Sequence, residues 1–274
     1  MRNAVGVFDS GVGGLTVVAA LHRLRPALPV RYIADTAYFP YGERTPAEVE
    51  ARSVVLAGQL LAEGCALLVV ACNTASSSAL ERLRERFPVP IVGMEPPLKP
   101  AVERTRSGKV AVLATPATAR GDRLARLQDA YAGGVEVVTV PMSGLADLVE
   151  AGELAGERVD RLLHRALDPL AGAGIDELAL GCTHYGFLRA AIEAMLGHDV
   201  EVIDPADPVA RRVLQQLDEH GIETPLATAA EAEIICSTTG DSVTFEETVE
   251  RLRDSGAELP VLRVISHLPH EAHA

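Results

Sequence analysis

The stretch ALLVVACNTASSSALERL at residues 66–83 runs from an apolar strand through a cysteine and small polar residues into a helix. The stretch DELALGCTHYGFLRAAIEAM at residues 176–195 repeats that order. Each cysteine therefore lies at the carboxyl end of a predicted strand, where open α/β sheets bind their ligands. The amides and dipole of a following helix lower the pKa of a thiol. The repetition predicts two similar lobes that each bring one activated thiol, Cys72 or Cys182, to a shared cleft.

Short apolar and β-branched runs alternate with longer amphipathic stretches along almost the whole chain. This alternation is typical of βαβ units and predicts an α/β fold with mainly parallel sheets. The expected strands are residues 4–8, 30–34, 67–71, 90–92, 109–113, 135–140, 177–180, 200–203, 233–236 and 261–264. The expected helices include residues 45–64, 76–86, 155–172, 184–196 and 242–255.

Ten strands are more than one open sheet usually carries, so we expect the chain to form two lobes. The proline-rich segment GMEPPLKP at residues 93–100 is a natural crossing between them, and IDPADP at residues 203–208 is a second. We therefore predict a first α/β lobe from residues 1–94 plus 208–274 and a second lobe from residues 95–207.

The composition restricts the partners and the location of the protein. Its 274 residues carry a formal charge of −13, and so acidic a surface argues against nucleic acid as a main partner and against an anionic membrane. The longest apolar run, near residues 65–72, is far shorter than the ~20 residues that span a bilayer. The run at residues 4–8 ends at Asp9, before it reaches the length of a signal peptide. We expect a soluble, cytoplasmic protein.

The four cysteines are too sparse for a disulfide scaffold and include no CxxC pair, so all are expected to be free thiols. Cys65 and Cys236 are interpreted as small buried hydrophobes. Cys72 and Cys182 are followed by residues that can cap a helix and bind a polar ligand. The histidine two residues after Cys182 can tune that thiol or carry its proton. The competing interpretation is a zinc site, for which the usual close Cys/His spacings are absent; its ligands would be Cys72, Cys182, His184 and Asp9.

Three further segments place polar groups near strand or helix ends. VGVFDSGVGGLTVV at residues 5–18 has a glycine-rich turn, but Thr16 stands where the dinucleotide pattern GxGxxG needs its last glycine. The amides of that turn can cradle a carboxylate, or the turn is a plain βα connection. ADTAYFPYGERT at residues 34–45 can close over a small ligand, or it is a surface connection. Glu150, in SGLADLVEAGEL at residues 143–154, lies on a predicted helix, where a carboxylate is usually solvated.

Five stretches, in this order and spread over nearly the whole chain, resemble the motifs of the glutamate racemases in the Asp/Glu racemase superfamily: GVFDSGVGGLTV, ADTAYFPYGERT, VVACNTASSSAL, VGMEPPLKPAV and LGCTHYGFL. The resemblance implies two α/β lobes related by pseudo-twofold symmetry, with the active site in the cleft between them. It also implies interconversion of L- and D-glutamate for peptidoglycan, with no cofactor and no metal. We expect the enzyme to be a homodimer.

Residue by residue, the resemblance assigns the chemistry to two thiols and their polar neighbours. Cys72 matches the base that takes the Cα proton from D-glutamate, and Cys182 matches the base for L-glutamate. Asp9 matches the partner on the Cys72 side, His184 matches the partner on the Cys182 side, and Glu150 completes the catalytic set. The amino acid is expected to be bound by Asp9, Ser10, Pro40, Tyr41, Gly42, Asn73, Thr74, Thr115, Thr118, Thr183 and His184.

One base on each face of Cα is the minimal arrangement for racemisation, and thiols from two lobes satisfy it. Two alternatives stay open. Aspartate differs from glutamate by one methylene, which an apolar pocket discriminates by only about 1–3 kcal/mol, so an aspartate racemase of the same superfamily fits the same motifs. A non-catalytic binding or inhibitor protein is the other alternative, although a binder would have no need of both cysteines.

Overall fold

The computed structural model describes residues 3–224 and 232–266, whose strands form two sheets. The strands are β1 (Ala4–Asp9), β2 (Val30–Ala34), β3 (Cys65–Val70), β4 (Ile91–Gly93), β5 (Lys109–Ala114), β6 (Glu136–Pro141), β7 (Glu177–Gly181), β8 (Glu201–Ile203), β9 (Ile234–Thr238) and β10 (Leu262–Ser266). One sheet has the order β10-β9-β2-β1-β3-β4, and the other has the order β6-β5-β7-β8. All neighbouring pairs of these strands are parallel, which confirms the α/β fold with two mainly parallel sheets.

Helices connect the strands of both sheets. They are α1 (Leu15–Leu24), α2 (Pro46–Ala62), α3 (Asn73–Arg86), α4 (Leu98–Arg104), α5 (Pro116–Arg120), α6 (Asp122–Tyr131), α7 (Leu145–Glu150), α8 (Glu157–Leu167), α9 (Arg189–Leu196), α10 (Ala206–Glu219) and α11 (Ser242–Asp254). Short 3-10 helices span Thr36–Tyr38, Tyr41–Glu43 and Thr183–Leu188. None of the helices in the described ranges combines the length and the apolar character that a membrane crossing requires.

Side-chain caps mark the starts of α2, α3 and α5. Thr45 and Glu48 form a capping box at the start of α2: Glu48 N donates to the Thr45 hydroxyl at 3.3 Å, and Thr45 N donates to the Glu48 carboxylate at 2.9 Å. Cys72 caps α3 by accepting a hydrogen bond from Ala75 N at 3.5 Å. Thr115 caps α5 with its hydroxyl. The helix starts at Cys72 and Thr115 therefore depend on side chains that a ligand can also reach.

All ten expected strands are present, with bounds that differ by at most two residues from the expected ones. The expected helix at residues 155–172 is wrong at its end, because α8 stops at Leu167. Pro169 has no N–H to continue the helical hydrogen bonds.

The expected helix at residues 184–196 is wrong at its start, since a 3-10 helix occupies residues 183–188 before α9 begins. In this tighter turn Tyr185 N donates to Cys182 O at 3.2 Å. Gly186 packs against Asp204 there, where a Cβ would overlap the carboxylate.

The two sheets share a core although they come from different parts of the chain. The largest apolar cluster contains buried residues of both sheets, among them Val7, Leu113 and Leu180. The division into a lobe of residues 1–94 plus 208–274 and a lobe of residues 95–207 stays a prediction. Parts of the first lobe lie outside the described residues, namely 1–2, 225–231 and 267–274.

Candidate active site

A cleft of about 870 Å³ opens beside the carboxyl ends of strands from both sheets. Four of its lining residues come just after strands: Ser10 follows β1, Cys72 follows β3, Thr115 follows β5 and Cys182 follows β7. The carboxyl ends of parallel strands are the usual place for ligands in open α/β sheets. The structure therefore brings the two singled-out thiols to one cleft, each from a different sheet.

Cys72 is buried at the amino end of α3. Its thiol donates to Ser10 Oγ at 4.0 Å, and Ala75 N donates to its sulfur at 3.5 Å. The lowering of the pKa expected from the helix is wrong for this thiol, since its pKa is raised well above the usual range. Burial is the main cause, because it disfavours the thiolate, and the negative charge of Asp9 adds to it. Cys72 is therefore a neutral thiol near pH 7.

Asp9 ends β1 and is fully buried. Its carboxylate accepts hydrogen bonds from Ser10 N at 2.7 Å and from Gly14 N at 2.6 Å. Thr183, in the turn of the second sheet, donates its hydroxyl to the same carboxylate at 3.2 Å. Burial raises the pKa of Asp9, while the positive charge of His184 counteracts the rise. Asp9 thus connects the glycine-rich turn after β1 to the turn that carries Cys182.

Cys182 lies directly before the 3-10 helix of the second sheet and has a basic neighbour. Its sulfur is 3.7 Å from His184 Nδ1, and His184 Nε2 is 2.6 Å from Glu150 Oε1. Burial opposes protonation of His184, but the hydrogen bonds to Cys182 and Glu150 outweigh it and hold its pKa well above the usual value. The ring of Phe39 packs beside the imidazole, with ring centroids 5.7 Å apart. His184 is therefore an imidazolium that can stabilise negative charge on the sulfur of Cys182.

Glu150 ends α7 and lies against His184, although the sequence alone favours a solvated carboxylate. Val12 N donates to its Oε1 at 2.6 Å. Thr248, on α11, donates its hydroxyl to the carbonyl oxygen of Glu150 at 3.1 Å. A Cβ on Gly11 would overlap the Glu150 carboxylate, so this position requires glycine. Backbone from the first sheet therefore holds a carboxylate of the second sheet in place.

The glycine-rich turn after β1 binds two carboxylates of the protein itself. Val12 N donates to Glu150 and Gly14 N donates to Asp9. The carbonyl oxygen of Gly11 accepts a hydrogen bond from the hydroxyl of Tyr32. The turn does cradle carboxylates, as one interpretation of the sequence suggested, but they do not belong to a ligand. The amides of Val12 and Gly14 are therefore not available to a ligand carboxylate.

Asn73, the first residue of α3, offers a group that a ligand can bind. It is buried, and neither its amide nitrogen nor its oxygen has a hydrogen-bond partner within the described ranges. An unpaired buried polar group costs roughly 1–3 kcal/mol, a cost that a ligand able to donate and accept would remove. The next residue, Thr74, has its hydroxyl 3.4 Å from those of Thr115 and Thr118. These three hydroxyls bridge the cleft between the first and second sheets.

Pro40, Tyr41 and Gly42 line the cleft from the loop between β2 and α2. The Tyr41 hydroxyl donates to Asp35 at 2.5 Å, so it is already used inside the protein. The N–H groups of Tyr41 and Gly42 have no acceptor in the part of the chain that the structure describes. This loop can therefore bind a ligand through its backbone rather than through the phenol.

The structure brings all the singled-out site residues to this region. Three of them lie directly behind the lining and contact it by hydrogen bonds: Asp9 on Ser10, Glu150 on His184, and Thr118 on Thr74. The others line the cleft itself, namely Ser10, Pro40, Tyr41, Gly42, Cys72, Asn73, Thr74, Thr115, Cys182, Thr183 and His184.

Three neighbours of these residues were not identified from the sequence. Phe39 and Asp35 belong to the quoted loop at residues 34–45, so its mixture of aromatic and charged residues was an available signal. Thr248 is about a hundred residues from its partner Glu150, and a lone threonine on a helix gives no sequence signal.

Cys65 and Cys236 are buried away from the cleft lining, as expected of small hydrophobes. Burial raises the pKa of each thiol to about 12. In the described ranges, no group of three or more His, Cys, Asp or Glu side chains is arranged to hold a metal ion. The polar neighbours of the cleft thiols are Ser10 and Asp9 for Cys72 and His184 for Cys182.

Comparisons with known proteins agree with this geometry. The sequence model of the family described as Asp/Glu/Hydantoin racemase matches residues 14–213. A glutamate racemase from Roseiflexus sp. (strain RS-1) is 45% identical over 261 residues, which are 95% of this chain and 94% of the relative.

Solved structures resemble the chain over nearly its whole length. A glutamate racemase isoform from Bacillus anthracis has a TM-score of 0.83 at 32% identity, covering 97% of both chains. A glutamate racemase from Escherichia coli, solved with L-glutamate and the activator UDP-MurNAc-ala, has a TM-score of 0.81 at 32% identity and covers 97% of this chain and 98% of its own.

Proposed function

The chain belongs to the Asp/Glu/Hydantoin racemase family, and from that membership we propose that it is a glutamate racemase. It interconverts L- and D-glutamate by two-base proton transfer at Cα. The observation that carries this proposal is the pair of thiols, Cys72 and Cys182, which reach one cleft from two different sheets. Removal of a proton from one face of Cα and delivery to the other face require this kind of arrangement.

Each thiol acts on one face of the substrate. From L-glutamate, Cys182 takes the Cα proton as a thiolate, and Cys72 gives its thiol proton to the opposite face. From D-glutamate the roles are reversed. The raised pKa of Cys72 supports its role as the proton donor in this direction, and the imidazolium of His184 lies beside the sulfur of Cys182, where it can stabilise negative charge. Asp9 assists the Cys72 side, and Glu150 assists the Cys182 side through His184.

The substrate is held by groups that lack partners or come from helix starts. The carboxamide of Asn73 can accept from the ammonium group and donate to a carboxylate. The amides of Tyr41 and Gly42 are free to bind a carboxylate. The hydroxyls of Thr74 and Thr115 support binding of the second carboxylate from both sides of the cleft.

In the cofactor-free reaction that we propose, the protein itself has to stabilise the negative charge that develops at Cα. Hydrogen-bond donors fixed in a site that excludes water act most strongly on developing charge. Asn73 and Thr74 lie at the amino end of α3, where the helix dipole favours negative charge. We expect the two lobes to close over the substrate, and product release can then limit turnover.

Proton exchange in D₂O tests the proposed function directly. Purified, metal-chelated protein is incubated with L-glutamate and separately with L-aspartate, and the Cα proton signal is followed by NMR together with optical rotation. Exchange and racemisation of glutamate alone are expected. Turnover of aspartate alone would instead assign the sister activity, and silence with both amino acids would leave a binding protein.

Two other cysteines supply matched controls for substitutions of the cleft thiols in this assay. Cys65→Ala and Cys236→Ala each remove a buried thiol that does not line the cleft, so both variants should racemise glutamate at the rate of the unaltered protein. Loss of activity in either control would show that the assay reports the stability of the fold rather than the two cleft thiols.

The cellular role follows from the product. D-Glutamate is a building block of peptidoglycan, and we propose that the enzyme supplies it in the cytoplasm. All four cysteines are free in the structure, which supports a reducing compartment. We also propose that the enzyme is a homodimer; light scattering in solution tests this, and a monomer mass would contradict it.

A further inference from the structure

A buried carboxylate behind the cleft has no part in the proton transfers proposed above. Asp35 follows β2 and is fully buried. Arg52 on α2 donates to both of its oxygens, from Nε at 2.8 Å and from Nη2 at 2.7 Å. Tyr41 donates its hydroxyl at 2.5 Å, and Thr239 donates its hydroxyl at 2.8 Å. A buried carboxylate with a forked arginine and two hydroxyl donors is held in one geometry.

The donors to Asp35 come from three different elements. Arg52 belongs to α2, Tyr41 to the 3-10 helix of the cleft loop, and Thr239 to the turn after β9. A second hydrogen bond joins the start of the cleft loop to the end of β9, because the hydroxyls of Thr36 and Thr238 are 2.6 Å apart. The turn after β9 therefore supports the cleft loop from behind.

The loop that this network holds reaches the cleft at Tyr41 and Gly42. The ring of Tyr41 is buried in the apolar cluster that also contains Cys72. Burial and the nearby charge of Asp35 raise the pKa of Tyr41, so its phenol stays a donor. The two free N–H groups belong to Tyr41 itself and to the next residue on the same short helix, so the anchored side chain of Tyr41 helps to hold both amides in place.

We infer that Asp35 is a positioning residue for racemisation, which fixes through Tyr41 the place of the two loop amides that bind a substrate carboxylate. Arg52 is the counter-charge that allows this carboxylate to be buried. The inference rests on the proposed function. It assigns to the Asp35 network a role in substrate binding beyond its contribution to the stability of the fold.

Binding that is equal in the ground state and the transition state changes KM and leaves kcat unchanged. Misplaced loop amides should therefore raise KM for both enantiomers. Tyr41→Phe removes the hydroxyl and keeps the ring, and we expect KM to rise about tenfold, the size of one hydrogen bond to a charged group. Asp35→Asn should raise KM further, with kcat reduced less than KM is raised.

Direct binding separates this effect from chemistry. In a Cys72→Ala background, which cannot racemise, the dissociation constant for glutamate is measured by calorimetry with and without Tyr41→Phe. We expect the added substitution to weaken binding by about the same factor as it raises KM. An unchanged dissociation constant would overturn the inference.

The ion pair of Arg31 and Glu63 is a matched control. Its atoms are 3.1 Å apart, and the side chain of Arg31 is 18% exposed, the same fraction as that of Arg52. Arg31 lies on β2 and does not line the cleft. Arg31→Met should lower the melting temperature and leave KM and kcat unchanged, whereas Arg52→Met should lower the melting temperature and raise KM.

The outcomes keep the two proposals apart. If the unaltered protein does not racemise glutamate, the proposed function fails, whatever the variants do. If the unaltered protein is active and folded Tyr41→Phe and Arg52→Met keep its KM, the positioning role of Asp35 is wrong while the proposed function stands. Arg52→Lys should raise KM less than Arg52→Met does, since lysine keeps the positive charge but lacks the two-pronged guanidinium.

Discussion

The turn of Cys72 and the turn of Cys182 share one order of strand, cysteine and helix, yet they surround their thiols differently. Cys72 has Ser10 and the buried Asp9 as neighbours, and its pKa is raised. Cys182 has the imidazolium of His184 as its neighbour. The two thiols thus have different polar neighbours, an acidic one on the Cys72 side and a basic one on the Cys182 side. The repeated order places both cysteines after a strand, while the following turns and the assembled cleft make the two sides different.

The largest expected effect removes one side of this pair. Cys72→Ser and Cys182→Ser should each reduce racemisation by at least about 10³-fold, the range of a lost general base. Elimination from a glutamate analogue with a leaving group on Cβ needs only one base, because the Cα proton and the leaving group depart together. It should survive in both variants with opposite preference for the enantiomers. Near-normal racemisation by either variant would contradict the two-thiol mechanism.

The polar partners sharpen the comparison. His184→Asn should slow elimination from the L-analogue by about 10²-fold and affect the D-analogue less, since the imidazole contacts Cys182. Asp9→Asn should show the reverse order, because the Asp9 charge acts on Cys72. Elimination is the right assay, since racemisation at an equilibrium constant of one forces equal kcat/KM in both directions. Equal slowing of both enantiomers in both variants would break the proposed asymmetry.

Glu150→Gln gives a smaller effect, which is visible in the pH profile. The Glu150 carboxylate helps to raise the pKa of His184, so its loss lowers that pKa. The imidazolium is then lost at a lower pH. In the pH profile of kcat/KM for elimination, we expect the alkaline limb for the L-analogue to move to lower pH. The corresponding profile for the D-analogue should stay in place. An unshifted alkaline limb would mean that Glu150 does not act through His184.

The smallest effect concerns the amino end of β7, opposite the end that carries Cys182. Burial and then the charge of Glu201 raise the pKa of Glu177 from 4.5 to about 7, and its Oε2 has no partner in the described ranges. Because the carboxyl pKa is raised in the folded protein, the contribution of Glu177 to the free energy of unfolding is fully present below pH 4.5. That contribution is lost as the pH rises to about 7. Glu177→Gln should therefore stabilise the protein at pH 8 by on the order of 1 kcal/mol and change nothing at pH 4.

Urea unfolding at the two pH values measures this difference, and kcat/KM for glutamate should be unchanged. Equal stabilisation at both pH values would show that the charge of Glu177 is not its cause. A change in kcat/KM would show that the amino end of β7 is coupled to the cleft. It would contradict the expectation that Glu177 affects stability alone while Cys182, at the other end of the strand, takes part in the chemistry.

Much of the fold was predictable because parallel α/β sheets leave a periodic pattern in the sequence. The ten strands were found because each is a short apolar run bounded by turns or helices, as in LLVV of β3. The start of α9 was missed because the 3-10 turn depends on the packing of Gly186 against Asp204, a contact with another part of the chain. Periodicity carries no information on such contacts.

The candidate site divides in the same way. Cys72, Asn73 and Thr74 were predictable because a cysteine between a strand and a helix is a local feature. The contact of Glu150 with His184, 34 residues apart, and the contact of Thr183 with Asp9, 174 residues apart, were not derivable from spacing. The resemblance to a family placed Glu150 and His184 in one site, but it gave no geometry.

The sequence by itself determined the class of fold, the two turns with their thiols, and the family to which the chain belongs, because each of these is written in a local pattern. Only the tertiary structure decided that burial and Asp9 raise the pKa of Cys72, which carboxylates the glycine turn binds, and that Asp35 holds the cleft loop. The physical reason is that burial and charge act over a few ångströms in space, and those distances join residues that are far apart in the chain.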